Sequence, residues 1–278
     1  MLDYPKSPPE NVTLHPCRAR AIRTPVRKRW ARFGPLTIEF SDEVLQPRPW
    51  TLEQARWAAE LADTAPDGRI VELCCGVGQI GLAFGRMCVD RGRPRDLVLV
   101  DADTQACGFA RANAARTALG TDVEVRESLV QKAFRPDETF SVMVADPPWV
   151  PSGSTGRYPE DPLWAIDGGP DGLDIARSCL ASVARHLQPG GSAVLQLGTD
   201  AQINALIPEL DETLEVAERR SIPGANGILV RLVLRPPADQ GPHSWQAPEA
   251  GPPGDNRSRP IGPSTFDDEE ADTTCTDH

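Results

Sequence analysis

The clearest chemical signal in this sequence is a carboxylate followed by two prolines and an aromatic ring. Asp146 ends the apolar stretch 140–144 after one alanine and precedes Pro147, Pro148 and Trp149. Neither proline has a backbone N–H group, so the turn offers acceptors rather than donors at these positions. Asp146 and a proline carbonyl can both accept hydrogen bonds from one flat amino group, while Trp149 stacks on a planar substrate. These four residues are the predicted catalytic site, acting by positioning and electrostatics.

A glycine-rich turn precedes this motif by about 70 residues. The segment 72–81 has the sequence Glu-Leu-Cys-Cys-Gly-Val-Gly-Gln-Ile-Gly and contains the pattern Gly-x-Gly-x-x-Gly. Glycines permit positive φ angles and a close approach of the backbone to a ligand, and both dinucleotide and S-adenosylmethionine (SAM) enzymes use this pattern. Cys74, Gly76 and Gly78 are predicted cofactor contacts. Glu72 is a fourth, because a carboxylate in an apolar strand needs a partner, either a ligand cation or a backbone amide.

An acidic residue follows the next predicted strand. Asp101 ends the stretch 96–100 and lies 20 residues after Gly81. A carboxylate at this place can accept hydrogen bonds from both hydroxyls of a ribose. Asp101 and its neighbour Ala102 are therefore predicted to bind the cofactor, the alternative for Asp101 being a helix cap or loop acid.

Strand and helix patterns alternate through the middle of the chain. Short apolar strands are predicted at 69–73, 96–100, 123–126, 140–144 and 192–197, with helices between most of them. Two further stretches, 214–216 and 227–234, resemble a final antiparallel pair. The alternation predicts an α/β fold with a doubly wound, Rossmann-like parallel sheet and an antiparallel edge strand. Ligands bind beyond the carboxyl ends of such strands, so the glycine turn, Asp101 and Asp146 should line one crevice.

Charge and composition suggest one folded domain, 36–235, between two extensions. The net charge is −11 over 278 residues, but 1–35 contains eight basic residues and two acidic ones. Residues 236–278 contain two arginines, nine acidic residues and many prolines, which predicts a disordered acidic tail. The arm 1–35 is expected to be loosely ordered. The acidic charge of the domain disfavours extensive nonspecific binding of nucleic acid. The basic arm is still compatible with a smaller contact to nucleic acid.

Cysteine usage and hydropathy exclude several classes of protein. Seven cysteines show no Cys-x-x-Cys or Cys/His spacing, which predicts free thiols in a reducing cytoplasm and no bound metal. No apolar run of about 18 residues is present, so a membrane span is not expected. The N-terminus lacks the pattern of a signal peptide.

Together these motifs resemble the class I SAM-dependent methyltransferases, and more narrowly the HemK-type release-factor glutamine methyltransferases of the "methyltransferase small" group. Asp146–Trp149 matches their N/D-P-P-Y/F/W motif. Ala165–Leu173 matches A-L-x-G-G-x-D-G-L except that Ile166 stands for the leucine, and Val44–Pro49 matches V-L-x-P-R-P. The resemblance covers about 36–235. It implies SAM as the cofactor and methyl transfer to an amine or amide nitrogen.

Three departures from the family bear on the acceptor. Cys74 replaces the first motif glycine, and fewer than 40 residues precede the domain where the glutamine enzymes have a helical domain. Asp146 replaces the family's asparagine, and an ionised aspartate cannot donate to a carboxamide oxygen. An amine is therefore favoured over protein glutamine, with nucleic-acid exocyclic amines and small-molecule amines both open. The alternatives from other classes are an NAD(P)-dependent oxidoreductase and a noncatalytic SAM-fold binding module.

Overall fold

The computed structural model describes residues 27–210, 212–222 and 227–236, and these ranges contain nine strands and six α-helices. The strands are β1 (Lys28–Phe33), β2 (Leu36–Ser41), β3 (Ile70–Leu73), β4 (Leu97–Asp101), β5 (Val123–Glu127), β6 (Phe140–Ala145), β7 (Leu187–Leu197), β8 (Leu214–Ser221) and β9 (Ile228–Leu234). The helices are α1 (Leu52–Ala62), α2 (Gln79–Asp90), α3 (Thr104–Thr117), α4 (Leu163–Ile166), α5 (Asp174–His186) and α6 (Asp200–Leu206). The predicted tail from 237 onward, and residues 1–26 of the predicted arm, lie outside these ranges. No helix within them is long and apolar enough to cross a bilayer.

Seven strands form one sheet in the order β5-β4-β3-β6-β7-β9-β8. The first five are parallel, and β9 runs antiparallel to both β7 and β8. The predicted α/β sheet is confirmed, with the antiparallel strand one place in from the edge. Every residue of β3 and β6 is buried, as expected for parallel strands covered on both faces.

Helices cover both faces of this sheet. One face packs against α1, α2 and α3, with Trp57 and Phe84 among its largest buried side chains. The other packs against α5 and α6 through residues such as Leu180, Val183 and Ile203. The two layers leave the carboxyl ends of the parallel strands as the open edge of the fold.

The end of the predicted loose arm forms a hairpin. Lys28–Phe33 pairs antiparallel with Leu36–Ser41, and Phe33, Ile38 and Phe40 are buried. Burial of these apolar side chains stabilises β1. This strand was not predicted, because basic residues dominate the composition of the arm. Lys28 and Arg29 form ion pairs with Glu39 and Asp42, so both cations already have acidic partners.

One buried side chain joins this hairpin to the glycine turn. Asn113 on α3 accepts a hydrogen bond from the backbone N–H of Glu39 at 2.8 Å. Its amide group donates to the carbonyl oxygens of Glu39 at 2.9 Å and of Val77 at 3.0 Å. Asn113 is completely buried, so these bonds are made away from water. The hairpin, α3 and the turn are therefore held together at one point.

Candidate active site

The turn between β3 and α2 has three residues with positive φ. Cys74, Gly76 and Gly78 have φ angles of 56°, 53° and 83°. A Cβ atom at Gly76 would meet nothing within 4 Å, so the backbone there is open to a ligand. Cys74 adopts this conformation at a cost of roughly 1–2 kcal/mol for a non-glycine residue.

Asp101 fixes the turn from the end of the neighbouring strand. Its Oδ2 atom accepts a hydrogen bond from the Gly76 N–H at 2.7 Å, and its Oδ1 atom accepts one from Asp103 at 2.9 Å. Burial raises the pKa of Asp101, while the backbone hydrogen bonds oppose that shift. Since each carboxylate oxygen can accept more than one hydrogen bond, Asp101 keeps acceptor capacity for a ligand. The alternative role as helix cap falls to Asp103, whose Oδ1 accepts from Ala106 at 2.6 Å.

Glu72 lies beneath the turn. Its side chain is fully buried, and its Oε2 atom accepts a hydrogen bond from the Gly81 N–H at 2.7 Å. Burial raises the pKa of Glu72 well above its ordinary value. A Cβ at Gly81 would lie only 2.6 Å from that oxygen, so this contact requires glycine. Of the two partners considered for Glu72, the structure provides the backbone amide.

A cavity of about 450 Å³, here called the Asp101 cavity, opens beside the turn. It is lined by the predicted residues Cys74, Gly76, Asp101 and Ala102, together with Leu45, Ser128, Leu129, Val130, Asp146, Pro148, Trp164 and Ala165 among others. Glu72 and Gly78 are not among its lining residues. Sequence reasoning missed 128–130, although these residues follow β5 and so lie at the carboxyl end of another parallel strand. Trp164 carried no signal in the sequence.

A second cavity of about 390 Å³, the Arg48 cavity, adjoins the first. It is lined by all four predicted catalytic residues, and by Leu45, Arg48, Trp50, Thr51, Val150, Tyr158, Glu160, Asp161, Ala165, Ile166 and Gln196. Both volumes fall within the range of small-molecule sites. Asp146, Pro148, Leu45 and Ala165 line both cavities. Two ligands, one in each cavity, would thus meet at Asp146.

The sequence predicts Asp146 to be a fully ionised hydrogen-bond acceptor, and the structure differs on this point. Burial raises its pKa to about 7. No hydrogen bond to its carboxyl group is formed by any residue in the described ranges. Both protonation states are therefore populated near neutral pH, and the protonated form can donate as well as accept.

Two segments close over the Arg48 cavity. Arg48, which precedes α1, forms an ion pair with Asp161 in the loop after β6, and its guanidinium lies 5.8 Å from the centre of the Trp50 ring. Tyr158 of the same loop lines the cavity, whereas Arg157 does not. The two segments together cover the catalytic motif.

The glycines of the segment 165–173 allow the backbone of the catalytic motif, Asp146–Trp149, to approach closely. Gly168 donates a hydrogen bond to the Val150 carbonyl oxygen at 2.9 Å. A Cβ at Gly168 would lie 2.6 Å from the Pro148 oxygen, and one at Gly172 would lie 2.4 Å from the Trp149 oxygen. The segment 165–173 thus positions the catalytic motif.

Replacing Gly172 with alanine is expected to destabilise the fold by about 2–4 kcal/mol, combining backbone strain with overpacking. Gly172 has a φ of 78°, and the added methyl group would meet the Trp149 carbonyl. Urea unfolding measures the change. Gly153→Ala is the matched control, since a Cβ there meets nothing within 4 Å. Equal stability of the two variants would contradict the packing role of Gly172.

Comparison with known proteins agrees with this geometry. Residues 57–157 match the family model described as "Methyltransferase small domain". The release factor glutamine methyltransferase of Mycolicibacterium smegmatis is 36% identical over 66% of this chain and 64% of its own length. That of Gloeobacter violaceus is 33% identical over 60% of this chain and 58% of its own. The chain thus spans less than two thirds of either relative.

Solved methyltransferases share the fold at low sequence identity. A T. thermophilus 16S rRNA methyltransferase in complex with AdoMet and guanosine superposes with a TM-score of 0.53 at 19% identity, covering 75% of this chain and 50% of that one. The human methyltransferase 10 domain containing protein gives 0.51 at 14% identity, covering 72% and 89%. These likenesses establish the class I methyltransferase fold. The segment 57–157, which matches the methyltransferase small domain model, contains the glycine turn, Asp101 and the catalytic motif of this fold.

Proposed function

We propose that this chain transfers a methyl group from SAM to a planar nitrogen held at Asp146. The observation that carries the proposal is the meeting of two ligand-sized cavities at this one carboxyl group. Bound SAM would supply an electrophilic methyl group. The protein's contribution would then be to place an acceptor nitrogen and its lone pair, which is catalysis by positioning and electrostatics.

The Asp101 cavity fits SAM in the chemistry of its lining. Asp101 has acceptor capacity left for ribose hydroxyls, and the open backbone at Gly76 admits a close ligand. Leu129 and Val130 offer apolar surface for a flat base. Glu72 acts through Gly81 to hold the turn, and so serves as a positioning residue for the cofactor site.

Replacing Asp101 with alanine is expected to weaken SAM binding by about 10- to 100-fold, the effect of losing hydrogen bonds to a charged group. Calorimetric titration of SAM measures this, with Asp137→Ala as a control at an exposed aspartate. Since Asp101 also binds the Gly76 amide, Asp101→Asn should lose less affinity than Asp101→Ala. Unchanged affinity in Asp101→Ala, or tighter binding of NADH than of SAM by the wild type, would contradict the assignment.

The Arg48 cavity supports a nitrogen acceptor. Asp146 has no hydrogen-bond partner among the described residues, and neither does the Pro147 carbonyl oxygen. Both can accept from the N–H groups of one planar nitrogen, which directs its lone pair toward the methyl donor. The Trp149 ring packs against Gly198, where a Cβ would lie 2.4 Å from it, and lines the cavity as a fixed flat wall. No strong base is required, because the proton can leave after the methyl group arrives.

Among acceptors, we favour a glutamine side chain of a protein, because the two relatives described above are named for that activity. A nucleobase exocyclic amine is the second candidate, and the replacement of asparagine by Asp146 favours it. We place the reaction in the cytoplasm, where the free thiols of the five described cysteines would stay reduced.

The test uses SAM labelled in its methyl group, with separate pools of cell protein and RNA. A methylated carboxamide releases labelled methylamine on acid hydrolysis, whereas a methylated lysine does not. Methylamine from the protein pool is the expected result. Label confined to RNA would indicate a nucleobase in place of glutamine as the acceptor, and label in neither pool would refute both of these acceptors.

A further inference from the structure

Gln196 on β7 is a buried polar residue that the sequence did not single out. Its side chain is 2% exposed and lines the Arg48 cavity. Its Oε1 atom is enclosed and has no hydrogen-bond partner, and no residue of the described ranges bonds to its nitrogen either. The Oε1 atom of Gln54 is also unpartnered, so Gln196 is distinguished by an amide nitrogen without a partner among the described residues and by its place in the cavity lining, which together indicate a role toward a ligand.

The strand register places Gln196 beside Asp146. Ala145 of β6 is paired with Leu195 of β7 in parallel register, so the next residues along, Asp146 and Gln196, are neighbours. Side chains alternate between faces, and these two lie on the same face. Neighbouring strands are roughly 5 Å apart, which brings both groups within reach of one small planar substrate group.

Another buried glutamine shows what a structural role looks like here. The amide nitrogen of Gln54 donates to the carbonyl oxygens of Ala145 at 2.8 Å and of Val194 at 3.0 Å, linking β6 to β7. Gln196 forms no such link within the residues that the structure describes. Its amide is free to meet a substrate.

We propose that Gln196 donates a hydrogen bond to the carbonyl oxygen of a carboxamide whose N–H groups are held by Asp146 and the Pro147 carbonyl. A single asparagine can both accept from the nitrogen and donate to the oxygen, whereas Asp146 can donate only in its protonated form. Gln196 supplies a donor that does not depend on the protonation of Asp146, since rotation of its amide presents either the NH₂ group or the oxygen to the cavity. The inference rests on the proposed function and narrows its acceptor to a carboxamide.

The first test is Gln196→Met, which removes the amide at similar volume. Methyl transfer into acid-releasable methylamine of cell protein should fall about 10- to 100-fold, as expected for one lost hydrogen bond. SAM affinity by calorimetry should stay unchanged, because Gln196 does not line the Asp101 cavity. Gln188→Met is the matched control, since it makes the same change at the other end of the same strand. Gln196→Leu, which also lacks a donor, should lose activity as Gln196→Met does.

The second test is rescue by Asp146→Asn in the Gln196→Met background. Asparagine at 146 supplies donor and acceptor itself, so the double variant should recover most of the lost rate. A role of Gln196 in packing alone would not be rescued in this way. If Gln196→Met fails to fold, the comparison is made with Gln196→Leu and its Asp146→Asn double variant.

Failure of the inference differs from failure of the proposed function. A wild type that binds no SAM refutes methyl transfer itself, and one that labels neither protein nor RNA refutes both proposed acceptors. A wild type that labels only amines, a Gln196→Met variant with wild-type rate, or absence of rescue leaves methyl transfer intact and overturns the role of Gln196.

Discussion

Replacing Asp146 with alanine is expected to lower methyl transfer by about 10²–10³-fold, the usual effect of removing a preorganised electrostatic group. Asp146 is the polar side chain shared by the two cavities, and the acceptor nitrogen would lose its principal hydrogen-bond partner. SAM affinity should fall far less than the rate, because Asp101 and the open backbone at Gly76 supply the other polar groups of the Asp101 cavity. Single-turnover rates with labelled SAM, set beside calorimetric affinity, separate the two effects.

The control for this experiment is Asp137→Ala, which removes an exposed carboxylate that lines neither cavity. It should leave rate and affinity unchanged. A rate for Asp146→Ala within a few-fold of the wild type would show that the chemistry lies elsewhere.

Replacing Asp146 with asparagine is expected to stabilise the fold by about 2–4 kcal/mol at pH 8, from the conversion of a pKa shift into free energy. Asp146 ionises near 3.8 in the unfolded chain and, because burial disfavours the charge, near 7 in the folded protein. Below pH 4 both states are protonated and the carboxyl group costs nothing. Between pH 4 and 7 the unfolded chain releases a proton that the folded chain keeps, so wild-type stability falls as pH rises.

Urea unfolding from pH 4 to pH 8 tests this sign directly. The advantage of Asp146→Asn over the wild type should be small at pH 4, grow toward pH 7 and level off above it. Asp137→Asn, at an exposed position, should show no such growth. A difference between Asp146→Asn and the wild type that does not vary with pH would mean that Asp146 is not desolvated in the folded protein.

The parts of the site that follow strand ends could be predicted from the sequence. Gly76, Asp101 and Asp146 each follow an apolar strand, and parallel topology brings such positions to one edge of the sheet. Cys74 and Ala102 line the predicted crevice for the same reason. Local pattern was sufficient for these residues, because the geometry of the sheet supplies the rest.

Features that depend on pairing between distant segments could not be predicted in this way. The position of Gln196 beside Asp146 follows only from the pairing register of β6 and β7. Burial raises the pKa of Asp146, and the cavity that it lines is also lined by Arg48 and Asp161, which lie more than 100 residues apart in the chain. The β1–β2 hairpin was hidden because charged residues on its exposed face dominate the composition of the arm.

The buried amide of Asn113 has a consequence for local unfolding. Its bonds to Glu39 and to Val77 join the hairpin to the glycine turn, so opening of the hairpin breaks a contact that supports the turn. Linkage then requires that a ligand which tightens the turn also raises the free energy of opening the hairpin. Backbone amide exchange at Glu39, a residue that lines neither cavity, would therefore slow when the Asp101 cavity is filled. The hairpin serves in this sense as a remote reporter of cofactor occupancy.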